Sequence, residues 1–211
     1  MGRWIDAGRP PQPGPPDWRR ETWIASFPEY SHVFERMPDD LTRDAVRAAV
    51  AEALAAGSAT AGFVAVMAWG YGKTGYGPHR VGRMLGSRPD VGACLAEAAH
   101  RATTGRALDA YRALAGPHRI AGLGPAFGTK YLYFASPRDA PALILDKLVS
   151  TALERTSPLR LDPVPWKERT YATYTVTMGI WARHLEIQPD ELEQVLFVDQ
   201  ASRNGSQWGA A

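Results

Sequence analysis

The stretch Gly122-Leu-Gly-Pro-Ala-Phe-Gly-Thr-Lys130 places three glycines and a proline ahead of a single lysine, and the apolar run Tyr131-Leu-Tyr-Phe-Ala follows it. A lysine side chain has an ordinary pKa of about 10.4. It becomes a nucleophile only where its surroundings favour the free amine. The spacing predicts that Lys130 falls in the first turn of the helix after a glycine-rich hairpin. There the helix dipole and partial burial would both act in that direction. Proton handling also needs a carboxylate. Sixteen residues further on, Asp146 follows Leu143-Ile144-Leu145 and opens the next predicted helix. An aspartate after so apolar a run is a helix N-cap, a partner for Lys130, or both.

Other chemistry for glycine-rich stretches is excluded by residue order. A phosphate loop needs a glycine five positions before a Gly-Lys-Thr. Gly72-Lys73-Thr74 has Met67 at that position, and residues 128–130 read Gly-Thr-Lys. A dinucleotide fingerprint starting at Gly122 and Gly124 would need glycine where Phe127 stands. What remains is backbone. A hairpin leading into a helix presents free N–H groups and a positive helix end, which hold phosphate without reading sequence. The same stretch would also serve as a plain connection between core helices.

Bulk properties narrow the class. The chain has 211 residues, 45% of them hydrophobic, enough for one domain with a proper core. No apolar run approaches the roughly 18–20 residues that span a membrane, and the N-terminus lacks a secretory apolar region. Cys94 is the only cysteine, so an internal disulfide, a multi-cysteine zinc site and an iron–sulfur cluster are excluded. A reducing cytoplasm is the expected location. Net charge is only +2, but it is segregated. Residues 53–89 hold Lys73, Arg80, Arg83 and Arg88 and no acid; residues 110–138 hold Arg112, Arg119, Lys130 and Arg138 and no acid. Two basic segments could make one anion-facing surface.

The elements that must position these residues read as helices throughout. Residues 1–17 form a proline-rich arm, in which prolines fix φ and remove donors. Residues 18–211 form a single helical domain. One helix, broken near Pro28, is expected over residues 17–37. A second follows Asp39 or Asp40 as cap and ends at Gly57, with an apolar stripe of Leu41, Ala45, Ala49, Val50, Ala53 and Leu54. Ala59 to Trp69 is apolar on nearly every side and reads as a buried helix. The glycine loop 70–77 leads to a short helix with Pro78 in its first turn. Two helices closed by Gly105 and Gly116 precede the hairpin. Helices after Asp146, over residues 166–187 and over 189–200 complete an all-α chain of roughly eight to ten helices. The segment Thr170-Tyr-Ala-Thr-Tyr-Thr-Val-Thr177 carries strand propensity, yet sits inside a helical pattern.

Gly128-Thr129-Lys130, then an apolar helix, then an apolar run ending in Asp146, resembles the helix-hairpin-helix DNA glycosylases. It looks most like their 8-oxoguanine DNA glycosylase branch, strongly over residues 117–155 and more loosely over 40–86. The family hairpin reads Leu-Pro-Gly-Val-Gly; here Ala126 stands at its first glycine, with Gly122 and Gly124 upstream. The resemblance implies a compact helix-hairpin-helix fold acting as a monomer on double-stranded DNA that carries a lesion. It implies that Lys130 attacks the sugar C1′ and that Asp146 assists proton transfer and steadies the sugar cation. An imine to C1′ would permit strand cleavage. Gly122, Gly124, Phe127, Gly128 and Thr129 would lie on DNA. In the loop after Trp69, Tyr76 and His79 would fill the gap left by the flipped base, with Lys73 and Arg80 on phosphates. Trp69, Trp166, Trp181 and Trp208 are candidates for a stacking wall. His100, His118 and His184 are read as core or surface residues. No redox cofactor is implied; a potassium or sodium ion on the hairpin carbonyls is. The lysine and aspartate act on the sugar and do not name the base. A glycosylase for another modified base, such as a phage-modified cytosine, and a non-catalytic DNA-binding module therefore stand beside 8-oxoguanine.

Overall fold

A computed structural model describes residues 17–116 and 119–205. All but the last residue of the expected arm, together with His118 and Trp208, therefore lie outside the described residues. Those residues form eleven α-helices: α1 (Arg20–Ser26), α2 (Ser31–Arg36), α3 (Arg43–Ala55), α4 (Ala59–Tyr71), α5 (Gly77–Leu85), α6 (Val91–Thr103), α7 (Ala107–Ala115), α8 (Pro125–Ala135), α9 (Lys147–Thr156), α10 (Glu168–His184) and α11 (Pro189–Arg203). A 3-10 turn, Pro28–Tyr30, splits the first expected helix into α1 and α2, because proline cannot donate the bond that would continue it. No described helix is long and apolar enough to cross a membrane.

The helix ends follow local chemistry. Thr42, not Asp39 or Asp40, caps α3: its Oγ1 accepts from Ala45 N at 3.2 Å. Leu41 is fully buried just before it. That anchor sets the start of the helix beyond both aspartates. At the other end Gly57 takes φ +74°, and Ser58 N reaches back to Ala53 O. This is the left-handed exit that glycine permits without strain. α4 is buried over almost its whole length, as its all-apolar composition requires. In α10 the strand propensity is overridden by spacing. Tyr171, Tyr174, Met178 and Ala182 fall at three- and four-residue intervals, and all four are buried on one face.

Packing places α8 at the centre. It lies against α3, α4, α6 and α7, while α9 packs against α11 and α10 joins that pair to α7. Lys130 on α8 and Asp146 at the start of α9 therefore come from two neighbouring groups of helices. The chain between them, residues 137–145, runs from one group to the other.

Candidate active site

The turn into α8 is made upstream of the expected place. Leu123 N bonds Ile120 O at 3.1 Å, closing a four-residue turn whose third residue, Gly122, has φ +84°. Only glycine takes that position readily. Gly124 is the N-cap of α8 and Pro125 its first residue. Ala126 thus lies within the first helical turn, where alanine is favourable, and the two upstream glycines shape the hairpin. No side chain caps α8, so the first N–H groups of the helix are available to an anion.

This shift moves Lys130. It is the sixth residue of α8, in the second turn rather than the first. Dipole effects fade beyond the first turn. Lys130 is instead held by charge. Its Nζ donates to Asp146 Oδ2 at 2.8 Å, with the two side chains 12% and 11% exposed. The other oxygen, Oδ1, accepts from Leu148 N and Val149 N, each at 3.1 Å. Asp146 is therefore both helix cap and lysine partner, one oxygen for each. Burial alone would raise its carboxyl pKa. The Lys130 charge and hydrogen bond, with the two backbone donors, outweigh burial and hold it below the usual range.

Thr129 and Gly128, expected on DNA, are both buried. Thr129 is fully buried. Its hydroxyl donates to Pro125 O at 2.8 Å and accepts from Leu145 N at 3.1 Å. It ties the neighbour of Lys130 to the neighbour of Asp146. At Gly128 a Cβ would stand 2.2 Å from Cη2 of Trp166, so the missing side chain makes room for the indole. Trp166 donates its Nε1 to Leu123 O at 3.1 Å and packs on Tyr111, clamping the hairpin to α8. With the ring fixed on both sides, Gly128→Ala is expected to destabilise by about 1–3 kcal/mol through overpacking. Thermal unfolding checks this, and the loss should shrink when Trp166 is also cut to leucine.

The described tryptophans suggested for a stacking wall are all engaged in packing. Trp69 is 5% exposed and packs edge-on against Phe134 in the core. Trp181 shares a groove with Arg155 and Thr156, at the opposite end of α9 from Asp146. That is about 14 Å along the helix at its normal rise. The aromatic side chain beside Lys130 is Phe127, whose ring centroid lies 5.9 Å from Nζ. It stacks on Tyr71 at 4.4 Å, and Tyr71 meets Tyr76 edge-on at 6.2 Å. An aromatic series thus runs from the loop tip to the lysine. Gly70, not singled out by sequence, makes room for it: a Cβ there would lie 2.7 Å from Phe127 Cε1. Its one legible signal was a glycine near the end of an otherwise bulky apolar helix.

Lys73, Tyr76, His79 and Arg80 are all exposed around this loop, with the Arg80 guanidinium over the Tyr76 ring. The hairpin meets α5 here. A groove of about 400 Å³ is lined by Arg80, Arg83, Met84, Ser87, Ala121 and Gly122. The two basic segments do meet, though part of their charge is neutralised. Arg88 pairs with Asp90, Arg112 with Asp109 and Glu168, and Arg138 with Asp44. Arg80, Arg83 and Arg119 of these segments pair with no carboxylate among the described residues, and Arg80 and Arg83 line the groove beside the hairpin.

Comparison with known proteins adds one match. Residues 10–197 match the model of a family described as "OGG: Putative 8-oxoguanine DNA glycosylase OGG-like protein". No curated protein and no solved structure matches.

Proposed function

The chain belongs to this OGG-like family of DNA glycosylases, and from that premise we propose that it excises 8-oxoguanine from duplex DNA through a covalent imine at Lys130. The observation that carries the proposal is the 2.8 Å pair of Lys130 and Asp146 in a nearly dry site. With the base turned out of the stack, the C1′–N bond breaks and its electron pair leaves on the base. The positive charge left on C1′ and the ring oxygen faces Asp146. Because that carboxyl is held below the usual range, it stays anionic and steadies the cation. The lysine proton passes to the departing base anion or to water. Nζ then bonds C1′, one of its two remaining protons passes to O4′ as the C1′–O4′ bond opens with its electron pair on O4′, and a protonated imine results. Loss of a C2′ proton with the 3′ phosphate as leaving group nicks the strand.

The groove between α5 and the hairpin, with the uncapped start of α8, supports phosphate contacts at this site. Arg80→Ala/Arg83→Ala is expected to weaken duplex binding. It should also flatten the slope of log affinity against log salt by about 1.8, one phosphate per arginine, with unfolding unchanged. A monovalent cation on the hairpin carbonyls also belongs to the proposal but carries no step. The carbonyls of Ile120, Leu123 and Gly124 already accept protein donors.

Borohydride trapping on a panel of duplexes tests the reading. An abasic site and 8-oxoguanine should both give a covalent adduct with the wild-type protein. Adducts on abasic DNA without release of 8-oxoguanine would reject the base while keeping the chemistry. Duplexes with modified cytosines then identify the substrate. No adduct on any duplex would reject the chemistry.

A further inference from the structure

Residues 142–145, Ala-Leu-Ile-Leu, are irregular chain lying between Ser136 and Asp146, and each is at most 3% exposed. A buried segment outside any helix has backbone donors that need partners, and here no sheet supplies them. Every one of its four N–H groups goes to a side chain. Ala142 N donates to Ser136 Oγ at 2.9 Å, Leu143 N to Tyr171 Oη at 3.2 Å, Ile144 N to Glu193 Oε2 at 2.7 Å and Leu145 N to Thr129 Oγ1 at 3.1 Å. Tyr174 Oη donates to Ile144 O at 2.8 Å. Side chains from α8, α10 and α11 therefore dictate where this strap ends, and it ends on Asp146.

Glu193 is the charged member of the set and makes the shortest of the four contacts. It is 0% exposed. Its Oε1 accepts from Arg43 Nη2 at 3.0 Å, while Oε2 holds Ile144. The carboxylate bridges the first residue of α3 to the strap, two positions before Asp146. Burial holds its carboxyl above the usual range, against the opposing pull of Arg43 and the Ile144 N–H. Arg43 in turn lies over the rings of Trp69 and Tyr133. A buried ion pair is a weak source of stability compared with apolar side chains of the same size. Its use here is geometric: a hydrogen bond to a charged acceptor is stronger and more directional than one to a hydroxyl.

We infer that Glu193, held by Arg43, is a positioning residue that sets Asp146 against Lys130 through the backbone of Ile144. The inference rests on the Lys130–Asp146 reading of the site. Two double substitutions separate position from charge. Arg43→Leu/Glu193→Leu removes the ion pair and the acceptor for Ile144 N–H. Arg43→Leu/Glu193→Gln removes the same charges but keeps an amide oxygen for that N–H. Single-turnover adduct formation on an abasic duplex is measured at saturating protein, with duplex affinity measured separately. The leucine pair should slow adduct formation by about 10- to 100-fold, the scale of a misplacement near 1 Å, with affinity nearly unchanged. The glutamine pair should recover most of the rate. Tyr174→Phe, which deletes one hydroxyl and keeps the ring, should slow the reaction in the same way if the leucine pair does not fold. Equal rates for wild type and the leucine pair, or for wild type and Tyr174→Phe where that pair is unfolded, overturn the inference and leave the lysine chemistry standing. A wild-type protein that forms no adduct overturns both.

Discussion

Lys130→Ala is expected to abolish the borohydride-trapped adduct on abasic and 8-oxoguanine duplexes and to lower base release by several orders of magnitude. Among the described residues no other amine is paired with Asp146, and Lys147, next to it in sequence, is exposed. The variant also leaves a carboxylate with 11% side-chain exposure without its counter-ion. The two backbone donors on Oδ1 remain, so the loss of stability should be on the order of 2 kcal/mol rather than the full cost of an orphaned buried charge. Lys130→Gln sorts fold from chemistry. Its amide can still donate to Asp146 and should restore most of the unfolding temperature, but it forms no imine. An adduct that persists at wild-type level in Lys130→Ala would show that another amine reacts.

The second large effect is expected from Asp146→Asn. Asparagine can still accept from Leu148 N and Val149 N, so α9 keeps its cap. What is lost is the negative charge beside C1′, and the rate of base release should fall by about 10²–10³. The pH dependence follows from the direction of the carboxyl shift. Asp146 is held below its ordinary value in the folded protein. Its contribution to stability is therefore fully present above the unfolded pKa of about 3.9. It is lost as the pH falls through the lower folded value. Wild type should exceed Asp146→Asn in unfolding temperature by a constant margin above about pH 5. That margin should close below about pH 4. Thermal unfolding of both proteins across pH 2–7 measures it directly. A margin that does not narrow at low pH would mean that Asp146 is not the ionised partner of Lys130.

Much of this architecture was legible in the residues themselves. Helical spacing in residues 43–55 and 168–184, the apolar block 59–69 and the closing glycines Gly57, Gly105 and Gly116 each report burial or backbone conformation within a few residues. Such patterns survive without tertiary context because they arise from the helix period and from φ alone. The pairing of Lys130 with Asp146 was legible for a related reason. An aspartate after three large apolar residues has few comfortable alternatives to capping a helix and meeting a cation.

Tertiary structure decided the rest. Whether Lys130 stands in the first or second turn depends on where α8 begins. That start is set by the Gly122 turn and by Trp166, which reaches Leu123 from 43 residues away. The packing of Gly128 on Trp166 and the hydrogen bonds of Thr129 were hidden for the same reason. A missing Cβ or a small hydroxyl looks alike in sequence whether it meets a phosphate, an indole or a buried N–H. Arg43 and Glu193 are 150 residues apart, and each alone reads as surface charge. Sequence by itself determined the helices and singled out Lys130 and Asp146 as partners, because those follow from local pattern and residue type. The assembled fold decided how they are aimed, since that direction comes from contacts that exist only once distant segments are packed together.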